Sequence, residues 1–409
     1  MRNWWLFLFI FVCLRPLKAQ PIRAEVEDRD FIQLNHNVLS VPGSDLLLDA
    51  FFEKMKELML FGKGQIRILH IGGSHIQADV YSNRMRNHLS NFMPHLMSSR
   101  GLIFPYAVAK TNNPRNFKVS YEGKWSAVRN VDKSLDNTLG LTGISVSTTD
   151  STARLKISFD VPGETRHEFK SIKILHNSDS LSFDPLWLTD DSVRTVKNTG
   201  YTEFHFSDFQ KEVALGFKKN DSLQKRFELY GLILETPRPG FIYSSVGING
   251  ASTRSYLKCE KFQEHLEIVK PDLVFFGIGI NDAHDPGFSE KNYVANYEKL
   301  IAKFKAVNPN TVFVFITNND SYGYNKRPNT NAEIVRRAMF TLAEKYDGAV
   351  WDLFSIMGGL TSSNQWRNAG LMSKDRIHFS AEGYNLLGDL LFNAFMDAFE
   401  NYLLKTVKN

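Results

Sequence analysis

The chain has 409 residues, enough for a large core and more than one domain. With 43% hydrophobic and 23% charged residues it is ordinary in composition, which excludes a disordered chain. The formal charge of +5 is no footprint of a nucleic-acid binder, because Arg2, Arg15 and Lys18 all fall in the first 19 residues.

Those first 19 residues read as a signal peptide. Arg2 is followed by the apolar run Trp4 to Leu14, and Ala19 offers a small residue before Gln20. The run is short for a membrane span, so a secreted or periplasmic chain with no stable membrane insertion is expected after cleavage; an uncleaved anchor is the alternative reading. Bulky Val12 before Cys13 argues against a lipoprotein site. Cys259 is then the lone cysteine of the mature chain, which excludes an intrachain disulfide and a cysteine-rich zinc site.

Residues 20–42 read as an irregular leader. Ser44 can cap a helix over 45–61, ended by Gly62 and Gly64. Ile66 to Ile71 is an apolar, β-branched stretch that predicts a buried strand. Gly72-Gly73 allows a sharp turn, and Ser74 stands between the strand end and a helix predicted over 76–92.

The texture changes near residue 110. Residues 154–161 alternate polar and apolar, and 171–176, 203–209, 213–217 and 226–235 read similarly. Short strands in close succession predict an antiparallel β-sandwich over 115–236, inserted into a scaffold made of 20–114 and 237–409. After Pro237-Arg238-Pro239-Gly240, apolar strands at 241–246, 273–278, 311–316 and 349–351 alternate with helices. The helices are expected over 256–269, over 289–306, after a capping box at Thr330 to Glu333, and over 381–404. Apolar strands alternating with helices predict an α/β fold with a parallel sheet. No internal repeat or low-complexity tract interrupts the pattern.

Four polar clusters fall at strand ends or at a helix start: Ser74, Asn249-Gly250, Asn281-Asp282 and Asp375-Arg376-Ile377-His378. In an open α/β sheet the carboxyl ends of strands converge on one edge, where ligands bind. Asp375 can orient the His378 ring, leaving its other nitrogen to take a proton from Ser74. The N–H groups of Ser74 and Gly250 and the amide of Asn281 could hold a tetrahedral oxyanion. Each cluster also has a plainer reading: a helix cap for Ser74, turns for Gly250 and Asn281, a surface ion pair for Asp375 and His378. His75 and Asp79 lack a third nearby ligand, so no metal is expected there. His284 reads as a solvated loop histidine.

Gly-x-Ser, then Gly250, then Gly-x-Asn-Asp, then Asp-x-x-His resembles the SGNH (GDSL) hydrolases in order and spacing. The resemblance implies an SGNH-type, flavodoxin-like parallel sheet. It also implies Ser74 as nucleophile, Asp375 and His378 as the rest of a triad, Gly250 and Asn281 as oxyanion donors, and no cofactor. Gly73 stands where that family usually has Asp. The runs His75 to Asp79, Arg100 to Tyr106 and Thr111 to Arg115, with a β-rich insert and Tyr-Ser-Ser-Val-Gly-Ile-Asn-Gly-Ala, resemble bacterial peptidoglycan O-acetylesterases. That narrower likeness implies acetylated polysaccharide such as peptidoglycan as substrate, with Asn112 and Arg115 lining the cleft or capping their loop. Competing readings are an esterase on other polysaccharides, a lipase or lysophospholipase, an acyl transferase, and a glycan-binding protein without activity. Aromatic residues of the insert such as Tyr121, Trp125 and Trp187 could stack on sugars or fill the core.

Overall fold

The computed structural model describes residues 23–408 except 92, 94–95, 166, 190–192 and 324–325, so the expected signal peptide lies outside the described residues. Seven strands form the central sheet: β1 (Leu39–Ser40), β2 (Gln65–Gly72), β3 (Met97–Ser99), β4 (Gly240–Gly247), β5 (Leu273–Gly277), β6 (Val312–Ile316) and β7 (Ala349–Trp351). Their order is β3-β4-β2-β5-β6-β7-β1. Every neighbouring pair is parallel except the β1–β7 edge.

β2 shows why this sheet needs apolar residues on both faces. Ile66 and Ile68 enter a core shared with Phe51 and Phe52 of helix Leu46–Phe61 and with Leu391 and Phe395 of helix Ala381–Lys408. Leu69 and Ile71, one pleat over, enter a second core with Leu300 and Phe304 of helix Glu290–Val307. A parallel sheet covered on both sides is the expected α/β architecture.

Two antiparallel sheets accompany it. One runs Asp184–Trp187, Glu212–Lys218, Arg154–Ser158, Lys118–Glu122. The other is built around Phe227–Glu235, which pairs on one side with Phe169–His176 and on the other with Ile144–Thr148 and then Gly101–Ile103. The chain passes from β3 into that second sheet at Gly101, where φ is +58° and a Cβ would lie 2.4 Å from Ser244 Oγ of β4. Antiparallel pairing thus begins at Gly101, ahead of residue 115. These sheets share one continuous core with the parallel sheet, running from Leu69 and Ile71 through Tyr106 and Ile248 to Leu155 and Phe217.

Several expected elements differ. The helix predicted over 76–92 is a short turn, Ser74–Gln77, then a helix, Tyr81–Asn91. It breaks at Asp79, whose φ is +47° and whose buried carboxylate meets Arg86 and Arg100. The helix predicted over 256–269 splits into Thr253–Tyr256 and Phe262–Val269, because Lys261 donates its backbone N–H to Leu139. Thr330 makes no side-chain cap; Asn329 Oδ1 accepts from Asn331 N instead. Trp187 is buried among Phe169, Phe204 and Phe206, so it is a core residue and no sugar platform.

Candidate active site

The three central strands end level with one another. Gly72 of β2 pairs with Gly247 of β4 on one side and Gly277 of β5 on the other. A Cβ on Gly247 would lie 2.4 Å from the backbone N of Gln77, and one on Gly72 would lie 2.8 Å from the carbonyl O of Gly277. Glycine at both positions lets the turn after β2 lie directly on the sheet edge. The loops carrying Ser74, Gly250 and Asn281 therefore emerge side by side, with the Ser74 loop in the middle.

Ser74 opens the turn Ser74–Gln77, where Ile76 and Gln77 donate to the Gly73 carbonyl. The first N–H groups of such a turn have no acceptor within it, Ser74's own included. Gln77 holds the neighbouring loops: its Nε2 donates to the Asn112 carbonyl at 2.8 Å, and its Oε1 accepts from Asn249 N at 2.7 Å. Gly250 has φ +83°, a left-handed conformation that favours glycine. Asn281 Nδ2 donates to the Ala251 carbonyl at 2.9 Å, and a Cβ on Gly73 would come within 3.1 Å of that same nitrogen. Glycine at position 73 therefore leaves Asn281 its space.

The fourth cluster arrives from the loop before helix Ala381–Lys408. Ser74 Oγ lies 2.8 Å from His378 Nε2, and His378 Nδ1 lies 2.8 Å from Asp375 Oδ2. The other Asp375 oxygen accepts from the backbone N–H groups of Ile377 and His378 at 2.9 and 3.0 Å. Burial works against the charged carboxyl, but the His378 ring and these two N–H groups outweigh it and hold Asp375 below the usual carboxylate range. A carboxylate beside Nδ1 places the proton there, which leaves Nε2 as acceptor for the Ser74 hydroxyl. About two-fifths of the His378 side chain and half of Asp375 are exposed, so the triplet opens to solvent.

The loop itself is clamped. Arg376, at φ +56°, stacks its guanidinium 4.0 Å over the Tyr322 ring and donates to Asn364 Oδ1. Asn319 Nδ2 donates to the Ile377 carbonyl. His75 packs against His378 with ring centres 5.4 Å apart and meets the Tyr384 hydroxyl through Nδ1. Burial pushes its pKa down to about 3, so it stays neutral.

Other expected residues play different parts. Asn112 and Arg115 are both exposed, and no described contact joins either side chain to the Ser74–His378 pair. Asn113, their neighbour, is the loop cap, donating to the carbonyls of Pro114 and Phe117. Asp79 belongs to a buried cluster with Ser82, Arg86, Arg100 and Asn116, apart from His75. No group of three metal-ligating side chains occurs among the described residues. His284 meets Ser321 Oγ at 2.9 Å, so it is a structural partner and no free loop side chain. The clamp at Arg376 was not read from the sequence, since nothing there marks an arginine in a left-handed turn.

Comparison with known proteins bears on the fold. The GDSL-like Lipase/Acylhydrolase family model matches residues 221–386. No curated protein matches the chain. Among solved structures, a peptidoglycan O-acetylesterase is similar at TM-score 0.74 and 18% identity, over 89% of this chain and 99% of that one. A GDSL-like lipase from Bacteroides thetaiotaomicron is similar over 38% of this chain and 76% of that one, at 17% identity and TM-score 0.31. Residues 221–386 thus match the GDSL-like Lipase/Acylhydrolase family, and the chain as a whole has an SGNH-type fold, a parallel sheet flanked by helices, with added antiparallel sheets.

Proposed function

We propose that the chain is a secreted or periplasmic serine esterase that removes O-acetyl groups from a polysaccharide, with peptidoglycan as the leading substrate. The reading rests on one observation above all, the unbroken 2.8 Å contacts from Ser74 Oγ to His378 to Asp375 at the edge of the sheet. His378 Nε2 takes the Ser74 proton as Oγ attacks the acetyl carbonyl. The tetrahedral oxyanion is held by the N–H groups of Ser74 and Gly250 and by the amide of Asn281. The intermediate collapses with cleavage of the bond to the sugar oxygen, which His378 protonates to the free hydroxyl as the acyl-enzyme forms. Water, deprotonated by the same ring, releases acetate from the acyl-enzyme. No metal or cofactor enters these steps. The substrate class is supported by the fold shared with a peptidoglycan O-acetylesterase, and the location by the character of the first 19 residues.

The test is release of acetate from O-acetylated peptidoglycan and acetylated xylan and of fatty acid from phospholipid, each with wild type and Ser74→Ala. Acetate from peptidoglycan that vanishes in the variant is the expected result. Release from xylan alone would move the substrate to another polysaccharide, and fatty-acid release from phospholipid alone would make the chain a lipase. Binding to peptidoglycan without any release would leave a glycan-binding protein.

A further inference from the structure

We propose that Asp282 is a positioning residue, a strut that fixes the spacing between the two loops carrying the oxyanion donors Gly250 and Asn281. The proposal rests on the assignment of those donors above. It begins from an odd placement. Asp282 directly follows Asn281 and is buried, and its carboxylate accepts three hydrogen bonds from Thr253, a neutral residue. The Thr253 N–H lies 3.2 Å from Oδ1 and 3.1 Å from Oδ2, and the Thr253 hydroxyl donates to Oδ1 at 2.6 Å. Thr253 stands three residues after Gly250 and opens helix Thr253–Tyr256.

Two straps thus join the same pair of loops. Asn281 reaches Ala251 and Asp282 reaches Thr253, so consecutive residues of one loop hold alternate residues of the other. Asn296, from helix Glu290–Val307, adds a donor to the Thr253 hydroxyl at 3.2 Å. A simpler role as helix cap does not account for Asp282. Helix Thr253–Tyr256 already has Ser252 as its N-cap, in a reciprocal capping box with Ser255.

A buried carboxylate is a costly way to join two loops, because removing it from water disfavours its charge. Burial indeed pushes Asp282 up to about 6, against the pull of the Thr253 donors. What the carboxylate offers in return is geometry. Charge-assisted bonds are short and directional, and two oxygens sharing one residue's N–H and hydroxyl leave little freedom. Oxyanion donors must converge on one atom before the reaction, since reorganisation during it raises the barrier.

The test uses the full chain and 4-nitrophenyl acetate. Asp282→Asn and Thr253→Val should each lower kcat by about 10–100-fold with KM within about 2-fold, because donors that act on the oxyanion act in the transition state. Thr253→Ser, which keeps the hydroxyl, should stay within about 3-fold of wild type. In an Asn281→Ala background, Asp282→Asn should cost no more than about 2-fold further, as residues acting through one another are not additive. Hydrogen exchange at residues 250–253 and 281 should speed up about 10-fold in Asp282→Asn and not in Thr253→Ser. Unchanged exchange, fully additive kcat losses, or wild-type kcat in Thr253→Val would each overturn the strut. Accelerated exchange in a protein whose wild type hydrolyses no ester would uphold the strut and overturn the esterase reading. Should Asp282→Asn fail to fold, Thr253→Val against Thr253→Ser carries the same comparison.

Discussion

Asn281 commits one amide hydrogen to the Ala251 carbonyl and retains a second. The committed bond fixes the plane of the amide, so the free N–H has one direction available to it. For a donor aimed at charge that develops only during reaction, Asn281→Ala should lower kcat by about 10²–10³ and leave KM nearly unchanged. Steady-state kinetics on a small aryl acetate check this; a raised KM with unchanged kcat would make Asn281 a substrate-binding residue instead. At this scale the sequence was most legible. Ser74 and Asn281 are polar residues at the ends of apolar strands, which converge on one edge of the sheet, and Asp375 and His378 stand three apart just before a helix start. Asp282 was not legible in the same way, because an Asp after an Asn before a helix reads as a turn. Only the fold brings Thr253 opposite it.

Among elements, the segment from Ser74 to Asn91 shows how a buried charge overrides helical periodicity. Helix-compatible spacing runs through residues 76–92, yet Asp79 adopts a left-handed conformation and divides it. The carboxylate accepts from Ser82, Arg86, Arg100 and Asn116, and the two arginines hold it far below the usual carboxylate range although burial opposes its charge. Arg100 comes from the crossing into the antiparallel sheets and sits between the rings of Phe117 and Phe159. Asp79 therefore pins the serine-bearing turn to that crossing. Asp79→Ala should destabilise the fold by about 3–5 kcal/mol, because it strands two buried arginines. Urea denaturation measures this; a loss under about 1 kcal/mol would mean the cluster is not a structural anchor. The strands of the central sheet were readable because continuous apolar runs have few alternatives. The edge strands Leu39–Ser40 and Met97–Ser99 were not, being too short for any period to show.

For the whole molecule, the question is what the antiparallel sheets add to the scaffold. They are no loose appendage: one core passes through both, and Val131 from their side is the nearest atom to a Cβ placed on Gly250, at 3.7 Å. Polar–apolar alternation made these sheets legible as a class, while strand order and the entry at Gly101 depend on long-range pairing that no local pattern records. Of the three aromatics considered for glycan contact, Trp187 fills the core, Trp125 is half-buried against Phe217, and Tyr121 is exposed. Under the proposed function, Tyr121→Ala should lower activity on acetylated polymer several-fold and leave a small aryl acetate within about 2-fold, since stacking acts on a long glycan alone. Comparing kcat/KM on the two substrates checks it, and equal losses on both would place Tyr121 in the support of the active site instead.

The assignment of Ser74 as nucleophile is tested most directly by covalent capture. A phosphonate ester that mimics the tetrahedral intermediate is incubated with the protein, and the labelled peptide is mapped by mass spectrometry. A single adduct on Ser74, lost in Ser74→Ala and strongly slowed in His378→Ala, is the predicted result. Labelling at another residue, or equal labelling of wild type and Ser74→Ala, would contradict it.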